Sequence, residues 1–119
     1  MNPFAVPGFS VDEESPDDAT RVLTVHGELD VATAPVLGQR TRRLLFWSDI
    51  DRVIVDLSDV SFIDSSGVRT LMVSRTHARS LDRALLYVCP EGSVLRRVRA
   101  YGLDAQLAFY GTVGEALAG

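Results

Sequence analysis

The stretch "SFIDSSGVRTLM" (residues 61–72) puts Asp64, Ser65, Ser66 and Gly67 between an apolar run and a helical pattern. Hydroxyls at such a junction serve one of three chemistries: a catalytic nucleophile, a helix cap, or an acceptor for a group that another enzyme transfers. A nucleophile needs a strained turn and a base. The esterase elbow G-x-S-x-G would require glycine where this chain has Ile63. His77 lies on the same predicted helix, roughly 18 Å from Ser65 along its axis, whereas a base must approach to about 3 Å. His26 falls in a predicted strand and reads as an ordinary sheet residue. Hydrolase chemistry therefore fails.

Other catalytic classes fail on composition. All 12 basic residues are arginine. Without lysine there is no P-loop and no Schiff base, and no G-x-G-x-x-G occurs. A phosphoacceptor receiver, suggested by Asp56 at the end of an apolar run, also needs a lysine. Cys89 is the single cysteine, which excludes an internal disulfide, and two histidines cannot complete a tetrahedral zinc cluster. No metal and no cofactor are expected. Cys89 reads as a small buried hydrophobe.

The cap and the acceptor remain. A serine at the start of a helix can take an orphan N–H, worth about 1 kcal/mol, but one serine suffices and the other is left over. Gly67 costs about 1 kcal/mol of helix propensity relative to alanine and supplies an approachable backbone. A phosphate on Ser65 would meet the favourable end of the helix dipole on one side. On the other it would meet the like charge of Asp64. Such a modification should be tolerated by the fold and felt by whatever docks there.

The elements that must hold these residues follow from periodicity. "FSVDEESPDDATRVLTVHGEL" reads as a hairpin around an acidic turn with Ser15 and Pro16 at its tip. Thr33 stands at an N-cap position before a helix through Val36, Leu37, Leu44 and Leu45, with Pro35 in the first turn. "RVIVDL" (residues 52–57) and "ALLYV" (residues 84–88) are apolar runs of the kind buried on both faces of a parallel sheet. Helical stripes cover Val68, Leu71, Met72 and Ala78, and then Val94, Leu95 and Val98. "AQLAFY" reads as an edge strand and "TVGEALA" as a terminal helix. The order ββαβαβαβα predicts an α/β sandwich with an N-terminal hairpin and a mostly parallel mixed sheet of 4–5 strands with about 4 helices. Trp47, at a helix end, is expected to pack in the core, with a partner contact as the lesser alternative.

The chain of 119 residues suits one domain over 1–119, its first eight or so residues flexible, with 46% hydrophobic and 24% charged residues. A net charge of −4 argues against direct nucleic-acid binding. The arginine clusters at 40–43 and 96–99 read as solvated helix faces. No stretch approaches the length of a membrane span, and "MNPFAVPGF" does not read as a signal peptide. A cytoplasmic location without membrane contact is expected.

Two linked blocks carry a family resemblance. "GELDVATAP" (residues 27–35) and "VIVDLSDVSFIDSSGV" (residues 53–68) closely resemble the anti-sigma factor antagonists of the STAS-domain family, and the element order fits over almost the whole chain. The resemblance implies a STAS-type sandwich without catalytic activity. It implies partner switching: the unphosphorylated antagonist binds an anti-sigma factor serine kinase and frees a sigma factor, and a PP2C-type phosphatase reverses the kinase. By position the phosphoacceptor is Ser65, Asp30 is the acidic residue beside it, and Thr33, Asp64, Ser66, Gly67 and Arg69 join the partner-binding surface. Close family members often carry glycine where this chain has Arg69, which could pair with a partner carboxylate or with the phosphate. A STAS module acting as a scaffold, in a stress-signalling or transporter-associated complex, is the alternative reading.

Overall fold

The computed structural model describes residues 5–47, 49–102 and 106–119. Strands β1 (Ser10–Asp17) and β2 (Thr20–Leu29) form an antiparallel hairpin, and β2 then pairs in parallel with β3 (Arg52–Ile63). Strands β4 (Ala84–Val88) and β5 (Phe109–Tyr110) extend the parallel half, giving one sheet in the order β1-β2-β3-β4-β5. Helices α1 (Ala34–Trp47), α2 (Ser65–Ser80) and α3 (Ser93–Ala100) connect the parallel strands in turn, and α4 (Val113–Ala118) ends the chain. The fold is the mixed α/β sheet with four helices that the element order implied. Residues 1–4, half of the segment expected to be flexible, lie outside the described residues, as does Ala105 at the start of "AQLAFY".

Period-2 alternation distributes the strands' side chains between two layers. Leu23, Val25, Val53, Val55, Leu85 and Tyr87 turn to one face, where Leu37, Leu45, Leu71 and Val98 of α1, α2 and α3 cover them. Val22, Ile54 and Val88 turn to the other, beneath Ala116 of α4. Both faces of the sheet's centre are thus dry, which is why residues 52–57 read as an unbroken apolar run. Tyr87 is fully buried, and its hydroxyl donates to the Leu71 carbonyl at 2.8 Å, tying α2 to the sheet. Burial drives the phenol well above its ordinary range and pushes the Cys89 thiol up to about 11. Cys89 is the buried small hydrophobe expected.

Four local expectations are corrected. The hairpin turns at Asp18 and Ala19, not at Ser15 and Pro16. Pro16 is tolerated inside β1 because this is an edge strand with an irregular register between Glu14 and Asp17, so its missing N–H breaks no ladder. Asp17 Oδ1 instead accepts the Ala19 amide at 2.9 Å and shapes the turn. Strand β3 runs six residues beyond Leu57. Two register shifts against β2 each add a residue to β3, so the inward side chains there are Leu57, Val60 and Ile63, every third residue. Bulges hide such a strand from any period-2 reading. Thr33 does precede the first turn of α1, but its hydroxyl accepts no helix amide; it donates to the Glu28 carbonyl at 2.6 Å. Finally, Trp47 is 85% exposed: it is the last residue of α1 and is not among the side chains that the helix buries.

Candidate functional site

Paired Leu29 and Ile63 end the neighbouring parallel strands β2 and β3, and each is followed by an aspartate that opens the way to a helix. The two aspartates do the same local work. Asp30 Oδ1 accepts the amides of Ala32 and Thr33 at 3.0 and 3.1 Å. Asp64 Oδ1 accepts those of Ser66 and Gly67 at 2.9 and 3.2 Å. Asp64, extended at φ −111° and ψ −170°, is thus the N-cap of α2. Its own amide donates to the Leu29 carbonyl at 3.1 Å, joining the two loops. Thr33, buried, completes the brace: its hydroxyl accepts the Asp30 amide at 2.9 Å as well as donating to Glu28.

Because Asp64 caps α2, neither serine has to. The hydroxyls of Ser65 and Ser66 make no hydrogen bond among the described residues, with Ser65 exposed and Ser66 half-buried. Gly67 is required by packing. A Cβ there would stand 2.6 Å from Ile63 Cγ1 and 3.0 Å from the Leu29 carbonyl oxygen, so only a bare backbone lets α2 start this close to the strand ends. Gly27 has a parallel reason: at φ +107°, a Cβ would collide with the Gly8 carbonyl. Arg69 is exposed, one helical turn beyond Ser65.

The structure therefore brings Asp30, Thr33, Asp64, Ser65, Ser66 and Gly67 together at the carboxyl ends of two adjacent strands, with Arg69 one turn along α2. No histidine joins them. His77 packs edge-on against Phe46, ring centroids 5.5 Å apart, towards the far end of α2. His26 Nε2 lies 3.0 Å from Asp12 and its Nδ1 3.1 Å from Asp59, so its ring is occupied on both sides. Among the described residues no group of three or more His, Cys, Asp and Glu side chains could hold a metal.

Two exposed apolar residues in the same blocks went unread in the sequence. Val31, beside Asp30, is 75% exposed, and Phe62, beside Ile63, lies partly open with the Arg97 guanidinium 5.3 Å from its ring centre. Phe62 escaped notice because the bulge in β3 turns it outward; Val31 could have been found as an apolar residue inside a loop.

The sequence matches the STAS domain over residues 11–116. Among solved structures, the chain resembles an anti-sigma factor antagonist from Mycobacterium paratuberculosis. Identity is 27% and the TM-score 0.81, covering 98% of this chain and 95% of that one. It shares its fold with the anti-sigma factor antagonist SpoIIAA in its unphosphorylated form, at 21% identity and a TM-score of 0.75 over 91% of this chain and 93% of that one. SpoIIAA of Bacillus in the phosphorylated form aligns at 20% identity and a TM-score of 0.69, over 92% of this chain and 97% of that one. With the two blocks at the ends of paired strands and the match running from β1 to α4, the chain belongs to the STAS domain family.

Proposed function

We propose that this STAS domain is an anti-sigma factor antagonist without catalytic activity, switched by phosphorylation of Ser65. Unphosphorylated, it binds an anti-sigma factor serine kinase in the cytoplasm and releases a sigma factor; a PP2C-type phosphatase restores the binding form. The observation that carries this reading is Ser65 itself, an exposed hydroxyl on the first turn of α2 with no structural task, because Asp64 supplies the cap. A kinase can reach it without unfolding anything. Asp30, Asp64, Ser66 and Arg69 then border the docking surface, with Val31 and Phe62 as apolar contacts; buried Thr33 and Gly67 shape it from beneath. Neither nucleic acid nor membrane is needed as a direct partner, and no helix among the described residues is long and apolar enough to cross a membrane.

The test is to capture partners from the source cell with wild-type and Ser65→Ala protein, purify the kinase recovered, and map phosphate after incubation with ATP. One phosphate on Ser65 is expected. Phosphate on Ser61, Ser66 or Thr70 would overturn the assignment. Capture of a fixed assembly that ignores Ser65 would favour a scaffold instead.

A further inference from the structure

We propose that Arg69 clamps a phosphate on Ser65, so that the modified serine is held along α2 as a charge-paired group. This rests on the acceptor assignment above and adds the device that sets the depth of the switch. Residues four apart on a helix are surface neighbours, with Cβ atoms about 5–6 Å apart. Helical side chains lean towards the N-terminus, so a long residue at position 69 covers the turn that begins at Ser65. Both residues are exposed.

The guanidinium is not paired within the fold: Arg69 makes no ion pair or hydrogen bond among the described residues. Helix α2 carries no carboxylate, and Asp64 Oδ1 is held by two backbone amides. The shallow groove between α1 and α2 that Arg69 borders contains Arg42 and His77 and no acid. The other arginines of α2 are out of reach: Arg75 and Arg79 lie about 15 and 21 Å from Ser65 along the axis. A planar guanidinium can donate two parallel hydrogen bonds to phosphate oxygens, which an ammonium or amide cannot match.

The pairing tempers the electrostatic change. A phosphoserine carries about −1.5 to −2 charges at neutral pH, beside Asp64; the guanidinium offsets one of these. A partner then meets a bulky, anchored group of reduced charge. A glycine at position 69, as the family resemblance leads one to expect, would leave the phosphate unpaired.

The experiment installs phosphoserine at position 65 during translation, so that no kinase is involved, and titrates the phosphate by ³¹P NMR. The midpoint should lie about 0.4 pH unit lower in the otherwise wild-type protein than in Arg69→Gln, since an adjacent cation favours the dianion. Arg69→Lys should recover part of the difference, and Arg75→Gln should change nothing. Thermal melting of unphosphorylated Arg69→Gln within a degree or two of the unmodified parent shows that the fold is intact. Equal midpoints for Arg69 and Gln, or a larger effect from Arg75→Gln, would overturn the clamp. Absence of kinase-borne phosphate at Ser65 would defeat the acceptor assignment and leave this titration unaffected, so the two failures are separable.

Discussion

At the scale of single residues, the division of labour between Asp64 and Ser65 decides what the site can do. A serine that capped α2 would have its oxygen engaged by backbone amides and less open to an incoming phosphoryl group. Here the aspartate caps, with its Oδ1 within 3.2 Å of two amides, and the serine stands free. Asp64→Ala orphans both donors and should cost about 1 kcal/mol, within the usual range of about 0.5–2 for lost caps. That corresponds to a fall in melting temperature of roughly 4 °C for a domain of this size. Ser66→Ala, which removes a hydroxyl without a partner, should stay within about 0.5 kcal/mol. Thermal unfolding followed by circular dichroism compares the two. Equal losses would mean that Ser66 shares the cap. A pH effect belongs to the same scale. Burial raises the Cys89 thiol to about 11 from 9.0, so the neutral form is favoured in the fold. The unfolded chain releases that proton first, and the stability it represents is full below pH 9 and lost as pH climbs towards 11. Cys89→Ala should flatten this alkaline decline in urea midpoints; an unchanged slope would show that the thiol titrates alike in both states.

At the scale of elements, legibility tracks regularity. The apolar runs over residues 53–55 and 84–88, and the helical stripes of α1, α2 and α3, are locally regular, and with the hairpin and terminal patterns they make the order of the described elements legible. The second half of β3 was not, because bulges replace alternation by an inward residue every third position. Such register shifts are fixed by pairing with β2, which local sequence does not record. The candidate site was legible as two linked blocks, whereas its internal wiring was not: a carboxylate and two hydroxyls side by side leave the choice of cap to the backbone dihedrals of Asp64. Trp47 misled for a related reason. Composition marks tryptophan as core, but α1 buries Leu37, Leu44 and Leu45 on one stripe and ends with Trp47 beyond it. Trp47→Ala should therefore change stability by less than about 0.5 kcal/mol, while Leu45→Ala, fully buried, should cost about 2–5 kcal/mol. Urea denaturation separates these outcomes, and a loss above 1 kcal/mol at Trp47 would place its indole against the fold.

At the scale of the molecule, charge is segregated. The chain carries −4 overall, yet α1 and α2 hold Arg40, Arg42, Arg43, Arg69, Arg75 and Arg79 and no carboxylate, while the β1–β2 hairpin gathers Asp12, Glu13, Glu14, Asp17 and Asp18. Among the described residues, Arg40 alone of those six forms an ion pair, to Glu13 at 3.6 Å. The first turn of α2 sits where this basic layer meets the aspartates at the strand ends, so one added anion there alters a boundary and does not simply join a field. A kinase that modifies Ser65 must bring its nucleotide to this turn, which puts Ser65 inside the shared interface. Before transfer, the small neutral hydroxyl is buried at little cost. Afterwards a bulky anion close to Asp64, its charge reduced but not cancelled by pairing with Arg69, faces the partner's own phosphates, and like-charge contact with incomplete solvation costs several kcal/mol. A loss of about 3 kcal/mol weakens binding roughly a hundredfold, at 1.4 kcal/mol per factor of ten. Ser65→Ala should accordingly hold the kinase persistently and Ser65→Asp weakly, with Ser66→Ala close to wild type. Both position-65 variants should keep the wild-type circular dichroism, because the cap at Asp64 is untouched. Isothermal titration of the three against one kinase preparation measures the difference, and equal affinities for Ser65→Ala and Ser65→Asp would sink the electrostatic account of the switch.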